Sequence, residues 1–333
     1  MADQRAAPER RPARERVDGI LLLDKPKGLS SNDALVRARR LLNALKAGHG
    51  GTLDPMATGL LPLMFGEATK FAQDALDADK TYLAELTLGV TTDTADAEGQ
   101  VVQRRAANVD DVALRAALEA FVGDVEQVPP MHSALKRDGR PLYEYARAGI
   151  EVERKARPVK IHSIALLDWA PGGDAPRATI RVRCSKGTYI RTLAADIGER
   201  LGCGAHLSAL RRESVGRLDV ERAIGLDALE ALSLETRRAR LDPPDALLAD
   251  LPRVDLDEAA SARFRNGQRL PAHALAAEQA VLLDKVAAPA RMRVYSDSRL
   301  IGLAQWERRV LAPLRLVALE SRAEPVPDAL GCR

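Results

Sequence analysis

The 333-residue chain is 46% hydrophobic, enough for a buried core, and at about 150 residues per domain its length favours two domains. Lysine and arginine together number 50 against 47 acidic residues, giving a formal charge of +3 and a pI near 8.8. This mildly basic balance permits a nucleic-acid partner without requiring one. No apolar run reaches the roughly 18–20 residues that span a bilayer, so we expect no membrane segment.

The cysteine pattern and the N-terminal composition predict a reduced, soluble, cytoplasmic protein. Cys184, Cys203 and Cys332 are odd in number and form no CxxC pair, so neither a disulfide framework nor a zinc site is expected. Residues 1–18 are rich in Arg, Ala, Glu and Pro and lack the apolar core of a secretory signal. We therefore expect them to form a disordered extension.

Order is predicted to begin with a strand over "GILLLDKPKG" that ends in a turn. A helix follows over "SSNDALVRARRLLNAL", where Ser30 and Asp33 have the spacing of a helix-capping pair. The glycine-rich stretch "GHGGTLDPMATGLLP", residues 48 to 62, comes next, and "GEATKFAQDAL" is predicted as a short helix.

The middle of the chain alternates strands and helices irregularly. "KTYLAELTLGV" has the period of a half-buried strand with Tyr82, Ala84, Leu86 and Leu88 on one face, and "TTDTADAEG" is expected to be a solvated acidic loop. Two further strands are predicted over "RPVKIHSIALLDW" and "ATIRVRCSKG", and helices over "VDDVALRAALEAFVG" and "YIRTLAADIGERLG". Successive strands of this kind favour an α+β domain with a mixed, largely antiparallel sheet flanked by helices.

The sequence changes character after about residue 250. A short helix in "LPRVDLDEAASARFRNGQRL" is followed by predicted strands over "AVLLDKV", "ARMRVYSD", "LIGLAQWE" and "LRLVAL". We therefore predict a disordered segment over 1–18, a large α+β domain over 19–250, a small β-rich domain over 251–320 and a tail over 321–333.

Taken singly, the motifs carry little functional information. Asp54 precedes a proline, which is typical of a turn, and the glycines around His49 match neither a P-loop nor a dinucleotide fingerprint. The acidic loop with Asp93, Asp96 and Glu98 lacks the order of an EF-hand, and the five histidines are scattered, so no metal site is indicated. In "CSKGTYIRTLAADIGERLG", Arg191 follows a turn and could bind a carboxylate or a phosphate, or lie solvated on the surface.

Four segments in fixed order resemble the bacterial tRNA pseudouridine synthase B (TruB) family. They are "GHGGTLDPMATGLLPLMFGEATKF", "DKTYLAELTLGVTTDTADAEG", "PPMHSALKRDGRPLYEYARAGIEV" and "CSKGTYIRTLAADIGERLGCGAHLSALRR". The resemblance covers about residues 19 to 230, and "FRNG" and "LIGLAQ" are more loosely similar to the family's PUA-like RNA-binding domain. It implies conversion of the T-loop uridine of tRNA, conventionally position 55, to pseudouridine without metal, nucleotide or organic cofactor.

The resemblance also assigns expected roles. Asp54 matches the family's nucleophilic aspartate, and Arg191 matches the arginine that pairs with it and should keep it charged. Tyr82 matches the tyrosine that stacks on the flipped base, while Tyr189 and Leu210 match the other pocket walls. His49 takes the place of the wedge-like residue near the flipped nucleotides. Whether attack occurs at uracil C6, at the sugar C1′ or through a glycal-type route is left open.

Several cations are candidate phosphate contacts, although each one alone could be a solvated surface charge. They are Lys25, Lys27, Lys136, Arg137, Arg211 and Arg212. Two small departures from the family pattern, Gly50 where Thr is frequent and His132 where Tyr is frequent, are expected near the RNA surface.

Two other functions compete with a tRNA pseudouridine-55 synthase. A relative that depends on a guide RNA is disfavoured by the compact C-terminal region and the absence of long basic tails. A non-catalytic RNA-binding protein or tRNA folding chaperone is disfavoured by the joint presence of Asp54, Tyr82 and Arg191. The expected partner is the T-arm of tRNA, with no obligatory protein partner and a monomeric chain.

Overall fold

A computed structural model describes residues 13–133, 135–172 and 175–318. The chain divides after Asp242 into two compact units. The boundary predicted from the sequence lies after residue 250, whereas residues 243–250 pack within the second unit. Its buried Asp245 forms an ion pair with Arg293 at 3.1 Å and accepts a 2.5 Å hydrogen bond from the Tyr295 hydroxyl.

The beginning of the described chain is ordered. The Glu15 backbone N–H donates to the Asn43 carbonyl at 2.9 Å, its carbonyl accepts from the Leu45 N–H at 2.7 Å, and Val17 is buried. The prediction of disorder is therefore wrong for residues 13–18, because a charged run concealed one backbone bridge and one core valine. Residues 1–12 and the predicted tail 321–333 lie outside the described residues.

The strands of the first unit, in chain order, are β1 (Gly19–Lys25), β2 (Ala47–His49), β3 (Thr58–Phe65), β4 (Lys80–Leu88), β5 (Val90–Thr92), β6 (Val101–Arg104), β7 (Gly123–Gln127), β8 (Lys136–Arg137), β9 (Arg140–Pro141), β10 (Arg157–Ala170), β11 (Arg177–Cys184), β12 (Ala205–Val215), β13 (Leu218–Asp219) and β14 (Ile224–Gly225). Its α-helices are α1 (Ser31–Leu41), α2 (Ala72–Asp77), α3 (Asp111–Glu119), α4 (Leu142–Arg147), α5 (Ile190–Arg200), α6 (Leu226–Ala231) and α7 (Leu234–Ala239).

Ten of the described strands form one mixed sheet. Its order is β14-β1-β3-β12-β4-β11-β10-β7, with β2 paired to β3 and β13 paired to β12. The β1–β14 and β3–β12 pairs are parallel, and the other pairs in this sheet are antiparallel. The predicted α+β class with a largely antiparallel sheet is confirmed. Strand β12 lies between β3 and β4, so it joins the strand in which the glycine-rich stretch ends to the strand that carries Tyr82.

The core of this unit follows the predicted periodicities. Tyr82, Ala84, Leu86 and Leu88 of β4 are buried, as their alternation predicts. The first three of them share one apolar cluster with the inward face of α5, where burial of each large side chain contributes about 1.5–3 kcal/mol. Ser30 caps α1, since its hydroxyl accepts the Asp33 N–H at 3.1 Å.

The second unit is rich in strands, which confirms that part of the prediction. Its strands are β15 (Arg253–Asp255), β16 (Leu270–Pro271), β17 (Ala290–Ser296), β18 (Arg299–Glu307) and β19 (Val310–Leu316), arranged in the order β15-β17-β18-β19-β16, and its helices are α8 (Glu258–Arg265) and α9 (Ala277–Asp284). The strand predicted over "AVLLDKV" is wrong, because most of it belongs to α9. Glu278, Gln279 and the surrounding alanine and leucine residues favour a helix, and Val281 alone does not outweigh them. Within the described residues no helix is long and apolar enough to cross a membrane.

Substitution of Gly59 tests how closely the parallel strands β3 and β12 approach each other. Gly59 pairs with Arg212, has a φ of +99°, and a Cβ at this position would lie 2.3 Å from the Arg212 carbonyl oxygen. We predict that Gly59→Ala lowers the free energy of unfolding by about 2–4 kcal/mol, because strain and overlap add. Urea denaturation measures the change. Gly172→Ala, where a Cβ meets nothing within 4 Å, is the control and should change stability by less than about 0.5 kcal/mol. Equal midpoints for both variants would contradict the packing described.

Candidate active site

The Asp54 loop, residues 50–57, joins β2 to β3 and is fixed to α1 by its backbone. The Ser31 hydroxyl accepts the Leu53 N–H at 2.7 Å and donates to the Leu53 carbonyl at 2.9 Å. The Asp54 carbonyl accepts the Ala57 N–H at 3.0 Å, which closes a turn around Pro55. The loop is therefore held in one conformation directly before and after Asp54.

Arg191, in the first turn of α5, contacts three separate loops. Its side chain is 6% exposed, and its Nε lies 3.0 Å from Asp54 Oδ2. One terminal nitrogen lies 3.4 Å from Asp96 Oδ2 and donates to the Thr94 carbonyl at 3.4 Å, and the other donates to the His132 carbonyl at 2.6 Å. The structure thus brings Asp54 and Arg191 together, as the resemblance implied.

The charge of Asp54 is subject to opposing influences. Burial has the largest effect and raises the pKa of Asp54 above its ordinary value. The side chain is nevertheless 37% exposed. The Arg191 cation acts in the opposite direction, and the Asp96 carboxylate adds to the upward shift. Asp54 is therefore a partly accessible carboxyl group whose pKa depends on burial and on several neighbouring charges, of which Arg191 has the largest effect.

The acidic loop is not solvated throughout, and this is a correction. Asp96 is 3% exposed, and its Oδ1 accepts the Thr94 hydroxyl at 2.5 Å and the Glu98 N–H at 3.0 Å. Its other carboxylate oxygen faces Arg191. Asp96 was not among the predicted site residues. The Thr-x-Asp-x-Glu spacing could have indicated it, because an aspartate in such a turn can accept hydrogen bonds from the residues two positions before and after it.

Tyr82 and Tyr189 lie close enough to Asp54 to interact with its charge, and Leu210 lies on the strand next to that of Tyr82. Tyr82 and Leu210 lie on the adjacent strands β4 and β12 and are each 9% exposed. The backbone of Tyr189 is fixed by the Gln127 side chain, which accepts its N–H at 3.0 Å and donates to its carbonyl at 3.3 Å. Burial raises the pKa of both tyrosines, and the Asp54 carboxylate raises it further.

His49 is the last residue of β2, immediately before the Asp54 loop. It is half-buried, and its Nδ1 has no hydrogen-bond partner among the described residues. Burial and the nearby Arg212 cation lower the pKa of the imidazole, which favours the neutral ring.

Two of the six candidate phosphate contacts are wrong. Lys25 and Arg212 are 0% and 1% exposed, so neither can reach RNA phosphates. The Lys25 ammonium donates to the Pro26 and Leu29 carbonyls at 2.9 and 2.7 Å, and burial lowers its pKa to about 8. Arg211 forms a bidentate pair with Asp24, at 3.0 and 2.7 Å. Lys27, Lys136 and Arg137 are exposed.

The two departures from the family pattern lie in different surroundings. Gly50 is buried, and a Cβ there would lie 2.6 Å from the Ala75 Cβ. His132 belongs to the site itself, since its carbonyl binds Arg191 and its ring lowers the pKa of Asp54. Among the described residues, no group of three or more His, Cys, Asp and Glu side chains could hold a metal ion.

Comparison with known proteins identifies the class as pseudouridylate synthases. The model of the TruB family pseudouridylate synthase N-terminal domain matches residues 39–190. The tRNA pseudouridylate synthase B C-terminal domain matches 191–251, and a second model, pseudouridine synthase II TruB, C-terminal, matches 252–317.

Full-length relatives agree with these models. The chain is 59% identical over 312 residues to tRNA pseudouridine synthase B of Burkholderia mallei (strain ATCC 23344), covering 93% of this chain and 97% of that protein. It is also 59% identical over 322 residues to the protein of the same name from Cupriavidus taiwanensis, covering 96% and 100%. A solved Cbf5-Nop10-Gar1 complex is similar at a TM-score of 0.66 and 26% identity, over 90% of this chain and 84% of that one. The chain belongs to the TruB family of pseudouridylate synthases.

Asp96 tests the electrostatics of the site. Because its carboxylate raises the pKa of Asp54, we predict that Asp96→Asn moves the Asp54 pKa downward. Titration of ¹³Cγ-labelled aspartate by NMR, with Asp54 assigned through Asp54→Asn, measures the shift. Asp93→Asn removes a charge from the same loop, at a carboxylate that accepts the Gln100 N–H, and should leave the Asp54 pKa unchanged. An upward shift in Asp96→Asn would contradict the described contacts.

Proposed function

We propose that this protein is a tRNA pseudouridine synthase that isomerises the T-loop uridine at position 55 and needs no guide RNA. The names of the relatives support tRNA as the substrate. The observation that carries the chemistry is the ion pair between Asp54 and the buried Arg191, beside Tyr82. This pair supplies a partly accessible carboxylate held by a buried cation.

In this proposal Asp54 is the nucleophilic carboxylate. Isomerisation breaks the bond between uracil N1 and ribose C1′, forms a bond between C5 and C1′, releases the C5 proton and places a proton on N1. An ionised carboxylate can form a covalent intermediate or stabilise cationic character at the sugar. Arg191 favours the ionised form because it opposes the effect of burial on the Asp54 pKa.

The site is proposed to receive an extruded base. Taking a uridine out of a folded loop costs a few kcal/mol, and stacking on an aromatic ring returns about 1–3 kcal/mol per base. Tyr82 is the proposed stacking residue, with Tyr189 and Leu210 as the other walls of the pocket. His49, immediately before the Asp54 loop, is proposed to act as a wedge near the flipped nucleotides.

The remaining parts of the proposal rest on the sequence. The second unit is proposed to be a PUA-like RNA-binding domain that extends the contact with tRNA. A cytoplasmic location, a monomeric state and the absence of a cofactor also stay predictions. Since the solved complex at 26% identity contains additional protein chains, independence from partners needs a direct test.

Tritium release from a T-arm stem-loop made with 5-[³H]uridine tests the reaction, using purified protein without guide RNA or partners. We predict release by the wild type and a loss of at least about 1,000-fold in Asp54→Asn, because the amide cannot act as an anionic nucleophile. Asp168→Asn, at an exposed position on β10, should retain wild-type release.

The outcomes separate the candidate functions. Release by both the wild type and Asp54→Asn would keep the enzyme and remove Asp54 from the reaction. Binding of the stem-loop without release by the wild type would favour the RNA-binding or chaperone function. Release only after addition of a guide RNA would favour the guide-dependent relatives.

A further inference from the structure

Arg212 is a buried cation without a carboxylate partner. It is 1% exposed, and among the described residues no carboxylate forms an ion pair with it. A buried guanidinium is costly unless its N–H groups are satisfied. Here backbone carbonyls supply the acceptors: Nε donates to Leu60 at 2.7 Å, and the terminal nitrogens donate to Gly51 at 3.2 Å and Thr52 at 3.5 Å.

These three carbonyls lie on both sides of Asp54. Gly51 and Thr52 precede it within the Asp54 loop, and Leu60 follows the loop in β3. One planar guanidinium therefore connects the beginning of the loop to the strand that leaves it. Gly51 has a φ of +120°, a left-handed backbone conformation that glycine adopts without the strain of a Cβ.

Arg212 also contacts the proposed stacking residue. It is the cross-strand partner of Tyr82 in the β12–β4 pair, and its guanidinium lies beside the Tyr82 hydroxyl. Burial raises the pKa of Tyr82, whereas the charge and the hydrogen bonding of Arg212 lower it. The two groups are therefore close enough to influence each other electrostatically.

We propose that Arg212 is a positioning residue for the reaction: its guanidinium fixes the Asp54 loop to the β12–β4 strand pair, so that Asp54 and Tyr82 approach the same uridine in one geometry. This inference rests on the proposed function. It assigns Arg212 no contact with RNA, since its side chain is buried. Its effect should appear in the rate of the chemical step and not in RNA affinity.

Arg212→Lys is the first test. Lysine keeps the charge but cannot span both ends of the loop and the Tyr82 hydroxyl with one ammonium. We predict a fall of about 30-fold in the single-turnover rate of tritium release at saturating stem-loop, with the RNA dissociation constant within about 3-fold of wild type. Arg181→Lys is the control, because Arg181 forms a bidentate pair with Glu213 at 2.8 and 3.0 Å on the same sheet and should keep the wild-type rate.

A double-mutant cycle distinguishes positioning from general destabilisation. In a Tyr82→Phe background, the effect of Arg212→Lys should shrink to below about 10-fold, because part of its role acts through the Tyr82 hydroxyl. An equal effect in both backgrounds, or an unchanged rate in Arg212→Lys, would overturn the proposal. Absence of release by the wild type would instead overturn the proposed function.

A second variant covers the case in which Arg212→Lys does not fold. Arg212→Met replaces the buried cation with an apolar side chain of similar length, a change that proteins often tolerate. A folded Arg212→Met protein with the wild-type single-turnover rate would overturn the proposal, and a loss of at least about 30-fold would support it. Failure of both variants to fold would assign Arg212 to stability alone and also overturn the proposal.

Discussion

The site depends on the burial of the Arg191 guanidinium. Removing such a cation from water costs several kcal/mol unless hydrogen bonds and opposite charges compensate it. The compensation comes from Asp54, Asp96 and the carbonyls of Thr94 and His132, which belong to three segments far apart in the chain. The requirement to satisfy one buried cation therefore brings these segments together and orients the one partly accessible carboxylate among them.

Two buried arginines serve the site in different ways. Arg191 is paired with carboxylates, so it affects the charge state of Asp54 directly. Arg212 is paired with backbone carbonyls, so it affects the shape of the loop that carries Asp54. Arginine suits both tasks, because its rigid fork presents several donors at fixed angles and stays charged when buried.

The regular parts of this architecture could be predicted from the sequence. The alternation in β4 predicted its buried face, and the family resemblance predicted that Asp54 and Arg191 form a pair, which the 3.0 Å contact between them agrees with. The burial of Lys25, Asp96 and Arg212 could not be predicted in this way, because a charged residue in a loop or on a strand looks the same in sequence whether or not distant segments cover it. The helix α9 was missed for a local reason, since a short apolar run has no clear period.

The position of β12 in the sheet has a consequence for synthesis of the chain. β4, with Tyr82, and β3, which follows the Asp54 loop, are made early, whereas β12 begins only at Ala205 and occupies the place between them. Until that segment has left the ribosome, one edge of β4 has no strand to pair with, and unpaired edges of this kind promote association with other chains. The enzyme therefore passes through a stage in which most strands of the sheet have been made but β3 and β4 are not yet joined by β12. The length of this stage affects how long the edge of β4 is open to aggregation.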